Sequence, residues 1–337
     1  MVEVNEKEKI MIEGAKNALK VVLSMNSGEP LLIVTDQNKR EIGTAFELGG
    51  TELGAIVRTY VLPESERPLS EIPKSFAPEL EHCKSGGVII NAFEGHSSET
   101  PFRIKLIKKE LSTNSRVGHA PGITLSMMTE GPMNVNWSNV AKNVDLLMKK
   151  FQGVNSVHIT APGGTNIMLN IKDRAFNTDV RIKPGAFGNL PAGEIWCAPI
   201  ENGAEGVIVC DGSIGDIGQV SAPLKIEVKN GKIVALESDD NQLVEKIKEL
   251  TGVDEMASVV GELGIGLNPK ARLTGNLLED EKAGKTAHIA FGNNTEMPNG
   301  KNDSQTHRDF LFYNPTFEVE YSDGAKKIII KDGEIIE

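Results

Sequence analysis

The chain has 337 residues, 39% of them hydrophobic, with a formal net charge of −11 and three cysteines. That length suffices for two domains with separate cores, and the acidic balance, with no basic cluster interleaved with aromatics, argues against a nucleic-acid surface. No apolar run reaches the ~18 residues of a membrane span, and the charged, helix-periodic start does not read as a signal sequence. A cytoplasmic protein with no membrane partner is therefore expected, its Cys83, Cys197 and Cys210 reduced and mostly buried.

In chain order, residues 6 to 25 carry a helical apolar stripe (Ile10, Ile12, Ala15, Ala18, Leu19, Val22) and lead through Asn26-Ser27-Gly28 into a strand at 31 to 35. A helix over 38 to 50 precedes a strand at 55 to 61, and a short helix near 75 to 84 precedes one at 87 to 91. A helix over 102 to 112, a strand at 115 to 117 and a long amphipathic helix over 136 to 151 complete the first half. Alternation of this kind predicts an open parallel sheet with helices on both faces, a flavodoxin-like layer. It carries no Gly-rich phosphate loop after a strand, which leaves no nucleotide site.

After Gly153 the texture changes to short strands rich in Gly, Asn and Asp, and this places a domain boundary there: an α/β N-terminal domain over 1–153 and a mostly antiparallel, β-rich α+β domain over 154–337. Hairpins are predicted at 157–160 with 166–171, at 224–229 with 232–236 across Asn230-Gly231, and at 316–321 with 326–330. A further strand is predicted at 206–210 and a helix over 240–250. His158 alternates with apolar neighbours and reads as a satisfied, partly buried histidine.

The candidate chemistry lies in this second half. His307 and Asp309 are one residue apart, so on an extended backbone both leave the same face while Arg308 leaves the other. His288 opens the apolar run His288-Ile289-Ala290-Phe291-Gly292, and the loop between the two segments lets them fold side by side. Two carboxylates join from far upstream. Glu194 follows a Pro-Ala-Gly turn at the start of an apolar strand, and Glu262 sits among apolar residues and glycines that permit close backbone approach. Acids in such settings are costly to bury unless they meet a cation. Taken singly, each residue also fits an ordinary core histidine or loop acid; the constellation is what points to a metal site. Three carboxylates and two imidazoles balance two divalent cations with one bridging hydroxide, the donor set of a two-metal hydrolase using Zn, Mn or Co. No general base stands out; Glu296 and His119 are weak candidates for a catalytic acid or base.

These residues carry a resemblance. Pro191-Ala192-Gly193-Glu194, then Gly261-Glu262-Leu263-Gly264-Ile265-Gly266 with Asn268-Pro269, then Leu273-Thr274-Gly275-Asn276 leading through Asp280-Glu281-Lys282 to the His288 run, and Ser304-x-x-His307-x-Asp309-Phe310 are similar, in order, to the motifs of the thermophilic (M29) metallo-aminopeptidases, the aminopeptidase T and S group. The match spans roughly 185 to 312. It implies a dinuclear exopeptidase that releases N-terminal residues from short peptides, with Glu194, Glu262, His288, His307 and Asp309 as ligands, usually as a homodimer. One departure is plain: the family places a tyrosine shortly after the first of these histidines, where this chain has Asn293-Asn294-Thr295-Glu296.

Two other readings stay open. A related branch resembling 2,5-dihydroxypyridine dioxygenase uses one Fe(II) to open an aromatic ring, and His288, His307 and Asp309 could supply its two-histidine, one-carboxylate triad. That reading leaves Glu194 and Glu262 outside the coordination sphere and requires an acid/base such as His119 to face the metal. The third is a non-enzymatic binding module with a vestigial site.

Overall fold

A computed structural model describes residues 5–336; Met1 to Val4 and Glu337, at the ends of the two expected domains, lie outside the described residues. In chain order the strands are β1 (Pro30–Thr35), β2 (Ile56–Val61), β3 (Val88–Ala92), β4 (Arg116–His119), β5 (Val154–Thr160), β6 (Asn166–Asn170), β7 (Asn177–Thr178), β8 (Phe187–Asn189), β9 (Glu194–Cys197) and β10 (Ala204–Cys210). They continue with β11 (Ser213–Ile214), β12 (Gly218–Gln219), β13 (Leu224–Lys229), β14 (Lys232–Glu237), β15 (Val260–Gly266), β16 (Thr286–Gly292), β17 (His307–Tyr313), β18 (Thr316–Tyr321), β19 (Lys326–Lys331) and β20 (Glu334–Ile335). The α-helices are α1 (Glu6–Val21), α2 (Arg40–Glu52), α3 (Phe76–Leu80), α4 (Thr100–Leu111), α5 (Leu125–Thr129), α6 (Trp137–Lys150), α7 (Asn241–Thr251) and α8 (Leu277–Asp280).

The fold is mixed α/β with one parallel and two antiparallel sheets, in two compact units. One runs through Ala141 and includes Asp179–Gly193; the other comprises Lys142–Thr178 and the chain from Glu194 onward. This differs from a single cut between 153 and 154, because the segment after β7 returns to the first unit before the chain enters β9.

The first unit holds a parallel sheet of order β2-β1-β3-β4-β8. Its central strands read as continuous apolar runs because both faces are covered: β3 is buried throughout and β1 at every residue after Pro30. The edge strand β2 is mostly exposed or half-buried instead. Leu32, Val34, Ile89, Phe93, Phe102, Leu106 and Val117 pack into one buried cluster, each side chain contributing roughly 1.5–3 kcal/mol by its removal from water. Helix α1 begins where Asn5 accepts from the Glu8 amide and the Glu8 carboxylate accepts from the Asn5 amide, a reciprocal cap of two otherwise orphaned donors. The fifth strand, β8, has no apolar run of its own and is held by parallel pairing of Val117, Gly118 and His119 with Phe187, Gly188 and Asn189.

In the second unit, an eight-stranded sheet has the order β14-β13-β10-β6-β5-β18-β19-β20 and a seven-stranded one the order β12-β11-β17-β16-β15-β9-β7. The three expected hairpins form: β5 pairs with β6, β13 with β14 and β18 with β19, all antiparallel. Asn230 and Gly231 both take positive φ, 48° and 77°, as a two-residue turn of type I′ requires. His158 bonds Asn166 Oδ1 through Nε2 at 2.7 Å across its hairpin. Cys83, Cys197 and Cys210 are free and buried, and burial raises all three thiol pKa values. Among the described residues no helix is long and apolar enough to cross a membrane.

Candidate metal centre

The five expected ligands lie on four adjacent strands of the seven-stranded sheet: Glu194 on β9, Glu262 on β15, His288 on β16, His307 and Asp309 on β17. Their register puts them on one face. Gly266 stands opposite Glu194, Gly264 opposite His288, Ala290 opposite both Glu262 and Asp309, and Gly292 opposite His307. Residues directly opposite in an antiparallel ladder share a face, so every ligand is interleaved with a glycine or an alanine. The spacing is obligatory at one point, since a Cβ on Gly264 would lie 1.9 Å from His288 Nε2. Arg308, between His307 and Asp309, points the other way, its Nη1 donating to Gly215 O at 2.6 Å.

Glu194, Glu262, His288 and Asp309 are buried, with 5%, 7%, 1% and 1% of their surface exposed, while His307 keeps 32% of its side chain open. His288 Nε2 lies 3.6 Å from Glu194 Oε2, 3.7 Å from Glu262 Oε1 and 3.9 Å from Asp309 Oδ1. His307 Nε2 lies 2.9 Å from Glu262 Oε2 and 3.6 Å from Asp309 Oδ1. Glu262 thus turns one oxygen to each imidazole, and one donor atom each from Glu262, His288 and Asp309 fall within 4.8 Å of one another.

The ring orientation of His307 is set from behind. Its Nδ1 donates to Asn293 O at 2.7 Å, which leaves Nε2 to face the carboxylates. The loop after β16 is clamped by asparagines: Asn302 Nδ2 donates to Gly292 O at 2.6 Å and to Met256 O at 3.1 Å, and Asn294 Nδ2 donates to Gly261 O at 3.1 Å beside Glu262. The residues that stand in place of a tyrosine therefore hold the backbone of the ligand strands. Glu296 is exposed on this loop.

Electrostatics fit a cation. Burial opposes a charge at His288, yet the Glu262 hydrogen bond and the charges of Asp309 and Glu194 push its pKa up to about 9. Against the same desolvation, Asp309 and Glu262 drive His307 well above the usual imidazole range. Burial raises Glu262, but its bonds to and the charges of the two imidazoles bring it down to about 2. The carboxylates thus favour the charged form of both imidazoles, and a divalent ion with N and O ligands replaces such protons on binding. Asp309 Oδ2 is buried with no hydrogen-bond partner among the described residues, a lone pair left for a ligand.

One charged neighbour was not singled out among the candidate ligands. Lys282, fully buried between α8 and β16, places Nζ 2.6 Å from Glu194 Oε1 and pairs also with the Glu281 carboxylate. Its signal in the sequence is a lysine following three acids, Glu279, Asp280 and Glu281, in the family-like stretch just before an apolar strand. His119 lies in the first unit, on β4, where its Nδ1 accepts from Asn91 Nδ2 at 3.2 Å. Burial first, and the charge of Arg103 second, lower its pKa to about 3 and keep the ring neutral.

Buried carboxylates and imidazoles converging from four antiparallel strands define a protein with the donor set of a metal-dependent hydrolase. The chain belongs to the thermophilic metalloprotease (M29) family, whose model matches residues 123–335. Divalent metal use and a metallopeptidase activity are what that membership supports. No curated protein matches the chain. Among solved structures it is similar to 2,5-dihydroxypyridine dioxygenase from Pseudomonas putida, with a TM-score of 0.70 and 15% identity over 97% of this chain and 96% of that one. It is also similar to wild-type AmpT from Thermus thermophilus, with a TM-score of 0.68 and 14% identity over 98% and 99%. At these identities the likeness is one of fold.

Proposed function

We propose that the protein is a metal-dependent aminopeptidase that releases N-terminal residues from short peptides. The observation that carries this reading is the convergence of Glu194, Glu262, His288, His307 and Asp309 on one sheet face in a chain of the metalloprotease family. Glu262, His288, His307 and Asp309 would hold a Zn, Mn or Co ion, with Glu194 behind His288. A divalent cation held there would supply Lewis-acid polarisation of the scissile carbonyl and lower the pKa of water towards ~7. The chain's own residues shape the approach. His288, Asp309 and Glu194 form the dry side, while the partly open His307 marks the side from which peptide and water arrive. Glu262, held ionised by the two imidazoles beside it, would offer its oxygens as ligand atoms. A two-ion centre bridged by Glu194 would need both of its oxygens for metal, and Oε1 is held by Lys282.

A second reading rests on the same observation together with the asparagines in place of the family's tyrosine. His288, His307 and Asp309, on the paired strands β16 and β17, match the two-histidine, one-carboxylate set of Fe(II) ring-opening oxygenases.

Chelator-stripped protein, reconstituted in turn with Zn, Mn, Co and, without air, Fe(II), separates them. Release of leucine from leucyl-anilide with Zn, Mn or Co supports the peptidase. Oxygen uptake with 2,5-dihydroxypyridine under Fe(II), and no anilide cleavage with any ion, overturns it in favour of the oxygenase. Failure to bind any of the four ions overturns both and leaves a non-catalytic binding module.

A further inference from the structure

Lys282 is a cation fixed by the fold against the ligand cluster, and the carboxylate it holds is one of the expected ligands. Its side chain is fully buried, and its Nζ bridges Glu194 Oε1, 2.6 Å away, and the Glu281 carboxylate. The lysine is locked at the backbone as well: its amide donates to Glu279 O at 3.0 Å and its carbonyl accepts from the Asn268 amide at 2.8 Å. Glu194 is therefore divided, one oxygen on a covalently tethered ammonium and the other facing His288 Nε2 at 3.6 Å. A carboxylate shared by two metal ions gives one oxygen to each. On Glu194 one oxygen is already paired with the Lys282 ammonium, in a site too buried for water to screen a second cation beside it. The remaining donors gather around one point. Donor atoms of Glu262, His288 and Asp309 lie within 4.8 Å of each other, and His307 Nε2 approaches Glu262 and Asp309 from the open side.

We propose that the Lys282 ammonium takes the position of a second metal ion on Glu194, so that the centre binds a single divalent cation between Glu262, His288, His307 and Asp309. Glu194 is then a positioning residue that ties His288 to Lys282. The proposal rests on the metal-centre reading above, and it determines which chemistry that centre has: two-ion bridging across Glu194 is closed to it, whereas one-ion hydrolysis and one-ion oxygen chemistry both remain open.

The test is Mn(II) binding to the chelator-stripped full chain, followed by calorimetry and by electron paramagnetic resonance, neither of which needs turnover. Wild-type protein is expected to take one equivalent and to show the signal of isolated Mn(II). Lys282→Met, which keeps the length of the side chain and removes its charge, is expected to take a second equivalent with the altered signal of a spin-coupled pair; Lys282→Arg is expected to stay at one. Two tight equivalents with a coupled signal in the wild type overturn the role of Lys282 while leaving the metal centre intact. One equivalent in a folded Lys282→Met also overturns it. No binding in the wild type overturns the metal centre itself. Where Lys282→Met does not fold, the wild-type stoichiometry and signal decide.

Discussion

Gly264 has no donor atom, yet its replacement by alanine should empty the centre. A Cβ at Gly264 would stand 1.9 Å from His288 Nε2, 2.2 Å from Cε1 and 2.6 Å from Cδ2. Non-bonded atoms settle at about 3.5 Å, so the ring must retreat by about 1.5 Å, many times the ~0.2 Å tolerance of a metal–ligand distance. His288 is 1% exposed and has no route to solvent. The ring therefore leaves its places 3.6 Å from Glu194 and 3.7 Å from Glu262. Loss of one of a few ligands should raise the dissociation constant for Mn(II) or Zn(II) at least ~100-fold, about 2.7 kcal/mol. Calorimetric titration of the stripped variant measures this, with circular dichroism and the thermal midpoint reporting that the sheet persists. An affinity within about threefold of wild type in a folded Gly264→Ala protein would refute the assignment of His288 as a ligand on this face.

Four further outcomes follow from the geometry. Asp309→Asn should lower metal affinity ~100-fold or more and abolish metal-dependent turnover while changing the fold little; retained stoichiometry and turnover would remove Asp309 from the centre. Glu194→Gln leaves Lys282 buried with Glu281 as its remaining carboxylate partner described above, and should destabilise the protein by about 3 kcal/mol, read as a drop in urea midpoint; an unchanged midpoint counts against a buried Lys282–Glu194 pair. Asn302→Ala removes donors to Gly292 O and Met256 O and should lower stability by about 2 kcal/mol, with a weaker metal site because the loop behind His307 loosens; equal thermal midpoints and metal affinity would show that the clamp is idle. Glu110 is fully buried and its pKa is raised by burial to about 8 despite the Asn91 hydrogen bond. The folded state thus keeps a proton that the unfolded chain releases above about 4.5, and stability falls as pH rises from there to about 8, by up to ~5 kcal/mol. Glu110→Gln has no such slope, and its thermal midpoint should exceed that of wild type by several degrees at pH 8 but hardly at pH 5; a midpoint difference constant across that range would contradict the burial argument.

Much of this architecture is legible in the residues, for identifiable reasons. Strands β1 and β3 announce themselves as unbroken apolar runs because a parallel sheet covered on both faces demands them, and Asn230-Gly231 announces its hairpin because few other pairs adopt two positive φ values cheaply. Glu194 and Glu262 stand out because an acid in an apolar strand requires a cation. What escapes local reading is whatever depends on a distant partner. Phe187-Gly188-Asn189 joins the parallel sheet only through β4, and it draws the segment 179–193 back into the first unit against a simple cut at 153. Alternation along a strand reveals which face is buried but not which of two antiparallel sheets the strand joins. Lys282 is hardest of all. Between Glu281 and Ala283 it looks like part of a solvated charge run, and the approach of Glu194 from 88 positions upstream, which helps to explain its burial, has no local sign.

The ladder β9-β15-β16-β17 also has a meaning in time. Its ligands come from segments separated by long stretches of chain, and β17, which brings His307 and Asp309, pairs with β16 on one side and β11 on the other. A folding chain that has not yet docked β17 holds only Glu194, Glu262 and His288, a cluster with one imidazole and no Asp309. An ion that needs all five expected ligands could therefore be captured only after β17 has docked, and would fasten a ladder already formed rather than nucleate it.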